Sequence, residues 1–285
     1  MISVLEQSIQ KSANLPREDT YLDQDGFLRC NKCKGLRQQD IKFGPITRRV
    51  YGLCACLTAE RDRQEREKKA QQLHDTIARN RSIGLTDPLM GEHTFDRDEG
   101  YNPQAMEIAR NYVRNWEDMK QNSCGLLFWG SVGTGKSFIA DCIGNALLDK
   151  GVRVLITNFS RLINQLSDYD LRDKNGFIDS LNSYELLIID DLGMERSTEY
   201  VREQCFNIID SRYRSGLPMI LTTNLTPKYM RNVAETDQSR IFDRILERTI
   251  PVIVNDQNIR QIHSQQNRQS TLSLLRLRND APPLS

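Results

Sequence analysis

The octapeptide GSVGTGKS at 130–137 follows the apolar run GLLFW at 125–129 without a spacer. A chain leaving a buried strand through Gly130, Gly133 and Gly135 can curl tightly, because these positions carry no Cβ to clash. The pattern is G-x-x-x-x-G-K-[ST], in which successive backbone N–H groups converge on phosphate oxygens. Ser131, Val132 and Thr134 complete the loop, and Phe138 is the first helical residue beyond it. Lys136 would place a point charge on the terminal phosphates, and the Ser137 hydroxyl would enter a Mg²⁺ shell. The competing reading, a glycine-rich turn without a ligand, must fill every position of the pattern by coincidence. A strand–loop–helix that binds a nucleoside triphosphate is expected.

The surrounding sequence fits an α/β domain with a parallel sheet covered on both faces. Strand-like runs are GLLFW at 125–129, VRVLIT at 152–157, ELLIID at 185–190, MILTT at 219–223 and IPVIV at 250–254. Between the first two, Phe138, Ile139, Cys142, Ile143, Ala146 and Leu147 form one helical stripe closed by Lys150-Gly151. A second helix is expected over 199–214 with Val201, Cys205, Ile208 and Ile209 inward, and Thr226-Pro227 reads as an N-cap followed by a first-turn proline.

LLIIDDLG at 186–193 is an apolar strand that ends in two carboxylates. In open α/β sheets ligands sit at the C-terminal strand ends, so Asp190 is expected to hold Mg²⁺ and Asp191 to orient the attacking water. Aspartate is short for that second task, and Glu195 is the alternative. LTTN at 221–224 puts Asn224 at the next strand tip, either to bond the attacking water or a γ-phosphate oxygen or as a loop asparagine before the helix at 227. In SRIFDRILER at 239–248, Arg240 and Arg244 share a helix face, either as surface ion-pair partners or as a cation offered to a neighbouring subunit. Arg260, just past the last strand, is within reach of the nucleotide of its own chain.

The order HTFDRDEG, GSVGTGKS, LLIIDDLG, LTTN, SRIFDRI, NIRQ resembles AAA+ ATPases of the DnaC/DnaI type, loaders of the replicative helicase, and is similar also to IstB-type transposition helpers. The resemblance covers about 80–265. It implies strand order 5-1-4-3-2, ATP held between adjacent subunits of a spiral or ring oligomer, and a reduced C-terminal lid. It implies Arg244 as arginine finger with Arg240 beside it, and Arg260 as a second sensor.

Four of the seven cysteines crowd into residues 30–56. Cys30-x₂-Cys33 and Cys54-x-Cys56 supply four thiolates suited to one tetrahedral Zn²⁺, in a segment too poor in apolar residues to fold on a core alone. The absence of histidine there argues for a structural metal. Such a module at 1–56 resembles the N-terminal unit by which DnaI-type loaders dock on the helicase. Residues 57–82 are dense in charge and helix formers and read as a solvated linking helix, 83–270 as the ATPase domain, and 271–285 as a frayed tail.

With 39 basic against 38 acidic residues, no global field draws the chain to nucleic acid or membrane. No run approaches a membrane span, and the polar start is unlike a secretory signal, so a cytoplasmic location is expected. Single-stranded DNA is a partner implied by the resemblance: Arg161, Arg172 and Lys174 would meet phosphates, while Phe159 either stacks on a base or fills the core. The expected function is loading of a hexameric replicative helicase with ATP, Mg²⁺ and Zn²⁺. The rivals are a transposition helper acting on duplex DNA and an adaptor that binds ATP but scarcely hydrolyses it. One P-loop core without a strand-separating domain argues against a helicase.

Overall fold

The computed structural model describes residues 18–167, 171–193, 198–234, 236–254 and 257–275. The chain divides into two compact units, Met1–His74 and Asp75–Ser285, with the division inside the long helix α1 (Ala55–Gly84).

The described part of the first unit holds two antiparallel hairpins, β1 (Thr20–Leu22) with β2 (Leu28–Cys30) and β3 (Gln38–Phe43) with β4 (Ile46–Tyr51). Asp23 builds the first turn: its carboxylate accepts from the Asp25 and Phe27 amides and pairs with Arg29. Few apolar side chains of this unit are buried; Leu28 is, together with Cys30 and Cys54. Helix α1 has no apolar stripe, as its charge density leads one to expect, and it runs two residues beyond the expected 57–82 at each end. Its last turn is not solvated. Asn80 donates to the Gly151 carbonyl at 2.9 Å, Arg81 pairs with Asp149, and a Cβ on Gly84 would meet the Val154 carbonyl oxygen at 2.1 Å.

In the second unit α2 (Pro103–Arg114) and α3 (Trp116–Gln121) precede β5 (Gly125–Trp129), which leads into α4 (Lys136–Leu148). Then come β6 (Val154–Asn158), α5 (Phe159–Ser167), α6 (Leu171–Ser180), β7 (Leu186–Leu192), α7 (Glu199–Ser215) and β8 (Met219–Thr223). The remainder is α8 (Pro227–Arg231), α9 (Thr236–Arg248), β9 (Thr249–Ile253) and α10 (Ile259–Leu274). The five strands are parallel and lie in the order β6-β7-β8-β5-β9. Counted from β5 as the first strand, this is 5-1-4-3-2.

Alternation along each strand feeds two cores. Leu126, Phe128, Ile156 and Ile188 pack under α2 and α4, while Leu127, Leu155, Leu187 and Ile189 pack under α5, α7 and α9. Burial on both faces is why these strands read as unbroken apolar runs. Gly144 lets α4 approach the sheet, since a Cβ there would meet Ile156 Cδ1 at 2.5 Å. Thr198 and Thr226 cap α7 and α8 with their hydroxyls, and Gly216 ends α7 in the left-handed conformation. Phe159 is buried in the core, so the stacking alternative falls. Arg161 donates to the Thr86 carbonyl, and Lys174 lies over the Tyr200 ring. Helix α10 runs to Leu274, past the expected edge at 271; the last ten residues lie outside the described ones, as does Glu195. None of the described helices is long and apolar enough to cross a membrane.

One buried cation staples the N-terminal ends of β7 and β8. Arg212 on α7 is 1% exposed and donates to the carbonyls of Tyr184, Glu185 and Pro218 at 2.8, 3.0 and 2.7 Å. Burial lowers its pKa to about 10. Arg212→Leu leaves three carbonyls without their donor, and urea unfolding should show a loss of about 3 kcal/mol. An unchanged midpoint would mean that water replaces the guanidinium at no cost.

Candidate nucleotide site

The phosphate loop joins β5 to α4. Gly130, Gly133 and Gly135 have φ of 150°, 80° and 96°, and close neighbours explain two of them further. A Cβ on Gly130 would meet the Val254 carbonyl oxygen at 2.0 Å, and one on Gly133 would meet Asn258 Oδ1 at 2.5 Å. The loop is therefore seated between the end of β9 and the start of α10.

Lys136 turns back into the loop. Its Nζ donates to the Gly130 and Ser131 carbonyls at 3.0 and 2.7 Å and to Asn224 Oδ1 at 2.8 Å. Burial lowers its pKa, while Asp190 and Asp191 act in the opposite direction. Beside it, Ser137 Oγ donates to Asp190 Oδ1 at 2.7 Å, and the same oxygen accepts from Thr222 Oγ1 at 2.5 Å. A hydroxyl next to a carboxylate is the hard oxygen pair that Mg²⁺ takes. Asp191 has φ 57°, a left-handed conformation unusual for a residue with a Cβ, at a register break between β7 and β8. Thr222 Oγ1 accepts its amide at 2.9 Å and so holds the bend that turns the Asp191 side chain out to solvent.

A cavity of about 840 Å³ opens from the loop toward α10 and the segment that leads into α2. Gly133, Gly135, Lys136, Ser137, Phe138 and Arg260 line it together with Tyr101, Met106, Ile259 and His263, and charged Glu92, Arg97, Asp98 and Glu99 also line it. A phosphate loop with apolar and aromatic groups in the same cavity is a combination that suits a nucleotide. The His263 ring bonds Glu99 at 2.8 Å and lies edge-on to Tyr101. At the cavity wall, His93 Nδ1 is 2.6 Å from Asp141 Oδ2 of α4, and His93 packs on Phe138. Burial pushes the Asp141 carboxyl up to about 6, and the Asp141 bond raises His93, so one proton shared between them satisfies both.

The structure thus pairs Lys136 with Asn224 and Ser137 with Asp190 at the phosphate loop, and puts Arg260 on the cavity wall. Arg240 and Arg244 are elsewhere. Arg240 is exposed on α9; Arg244 pairs with Asp210 at 2.8 Å and lies over the Phe206 ring. Sequence reasoning did not single out Thr222, His93, Asp141, Tyr101, Asn102 or His263. Of these, His93 and Thr222 stood in quoted motifs, HTFDRDEG and LTTN, and the others carry no local signal.

In the first unit the Sγ atoms of Cys30, Cys33, Cys54 and Cys56 all lie within 4.8 Å of one another. The Lys34 φ of 59° and the close fit of Gly35 against Cys33 and Cys54 form the knuckle. The Cys33 amide foremost lowers Cys30 to about 6, while hydrogen bonds from Cys54, Cys33 and Cys30 push Cys56 up to about 12. Four thiols this close cannot all ionise without a cation among them, and four sulfur donors suit Zn²⁺.

A five-stranded parallel sheet in this order, with a phosphate loop after β5 and the acidic strand β7 set off from it by the intervening β8, defines a P-loop domain of the AAA+ ATPase class. A family profile described as IstB-like ATP binding protein matches residues 89–267, more than half of the chain. The chain belongs to that family. The replicative helicase loader DnaC of Escherichia coli K12 is 29% identical over 195 residues, which cover 67% of this chain and 77% of that protein. The replicative helicase loader DnaI of Bacillus subtilis 168 is 24% identical over 213 residues, 69% of this chain and 65% of that one. A crystal structure of DnaI superposes with a TM-score of 0.50 at 22% identity, covering 60% of this chain and 96% of that one, a likeness of fold.

Proposed function

We propose that this ATPase loads a hexameric replicative helicase onto single-stranded DNA. The observation that carries the reading is the joining of a complete phosphate site to a chain whose relatives bear the name of helicase loader. Lys136 exchanges its two loop carbonyls for phosphate oxygens when ATP enters, and Asn224, now its partner, faces the terminal phosphate or the attacking water. Ser137 and Asp190 would hold Mg²⁺, which supplies charge neutralisation across the phosphates. Asp191, exposed on its bend, orients the water; Arg260 faces the nucleotide from α10. In a spiral or ring of subunits, Arg244 gives up Asp210 for a neighbour's phosphate, with Arg240 one turn away.

The cysteine unit, proposed to hold structural Zn²⁺, docks on the helicase. The cell compartment follows from the partner: replication in a bacterium places both in the cytoplasm. The test is binding of the full chain to the purified replicative helicase of the source organism. ATP should strengthen the complex about tenfold or more, within the range of allosteric coupling. Binding to a transposase and to duplex DNA, with no affinity for the helicase, would replace this reading by that of a transposition helper.

A further inference from the structure

Asn102 occupies the N-cap position of α2, where its side chain would ordinarily accept from an amide of the first turn. It makes no cap bond. Its Nδ2 instead donates at 2.8 Å to the carbonyl of Thr134, in the phosphate loop 32 positions on. Both residues are buried, Asn102 at 7% exposure and Thr134 at 2%. We propose that Asn102 is a positioning residue of the phosphate loop, fixing the Thr134–Gly135 peptide so that the Gly135 N–H faces the nucleotide phosphates. The inference rests on the ATP-binding reading of the loop.

A trans peptide carries its C=O and N–H on opposite sides, so an anchor on one aims the other. Gly135, at φ 96°, lacks the Cβ that would restrict rotation of this plane, and an external tether is needed to hold it. The preceding peptide is tethered in the same way from the opposite flank, since the Gly133 carbonyl accepts from the Arg260 amide at 3.4 Å. With both carbonyls held, the N–H groups need not reorganise when a phosphate arrives, which is the economy that preorganised donors bring to an anion. The amide is therefore committed to the loop through Nδ2, and its Oδ1 makes no cap bond to α2.

Asn102→Ala and Asn102→Asp in the full chain separate this role from helix capping. Aspartate has the same shape and is a good N-cap, but it cannot donate and it repels a carbonyl. Affinities are read by competition of ATP, ADP and adenosine against a fluorescent ADP, alongside melting temperatures. Expected for both variants is a loss of about tenfold in ATP and ADP affinity, as for one charge-assisted hydrogen bond, with adenosine affinity unchanged and the aspartate variant melting no lower than the alanine one. An aspartate variant that binds ATP like the wild type would overturn the proposal. So would equal losses of ATP and adenosine affinity in both variants. A wild-type chain that binds no ATP would instead remove the ATP reading itself.

Discussion

Lys136→Ala should lower ATP turnover by a factor of about 10²–10³ or more, the cost of removing one preorganised group from developing charge. The lysine is buried, and three oxygens hold its ammonium in the loop, so the site already has a cation aimed where phosphate must sit. Alanine removes that charge and leaves Asn224 Oδ1 without its partner. Folding should be little affected, because the ammonium satisfies burial only through groups that water can reach once it is gone. Phosphate release, with the melting temperature as control, reads the result. A variant that folds normally and keeps wild-type turnover would show that catalysis does not run through this loop.

The second large effect belongs to the cysteine unit. Cys30→Ser with Cys33→Ser should take bound zinc from about one atom per chain to none and unfold the two hairpins. Among the described residues there, Leu28, Cys30, Cys54 and a few polar groups are all that is buried, whereas a Zn²⁺–thiolate site supplies roughly 10 kcal/mol or more of folding free energy. Nucleotide binding should survive, since the phosphate loop belongs to the other compact unit. Metal content and amide exchange of residues 18–56 measure the two parts. Wild-type protein without zinc, yet with protected hairpin amides, would refute the metal.

Both predictions were within reach of the sequence for the same reason: each site is built from residues close together in the chain. A phosphate loop is eight consecutive residues whose glycines are demanded by local backbone angles. The cysteine pairs are likewise short-range. Strands buried on both faces announce themselves as apolar runs, and all five appeared within two residues of their expected limits. The strand order had a different source, since it came from the resemblance of motifs and no periodicity encodes it.

By itself, then, the sequence determined the fold class, the nucleotide loop and its acidic strand, and a thiol cluster apart from them. What only the tertiary structure decided are pairings between distant positions. Asn102 reaches Thr134, His93 meets Asp141 and Thr222 bridges Asp190 to the bent backbone at Asp191, and each joins segments more than thirty residues apart. Arg244 is similar. Its spacing from Arg240 allowed either a surface pair or a finger, and packing of α9 on α7 put it against Asp210. The C-terminal helix runs to Leu274 because Ile259 to Leu274 contains neither glycine nor proline, a permissive signal that fixes no endpoint. Hydrogen-bond partners of this kind depend on which elements pack together, and a polar side chain carries no mark of the carbonyl it will meet.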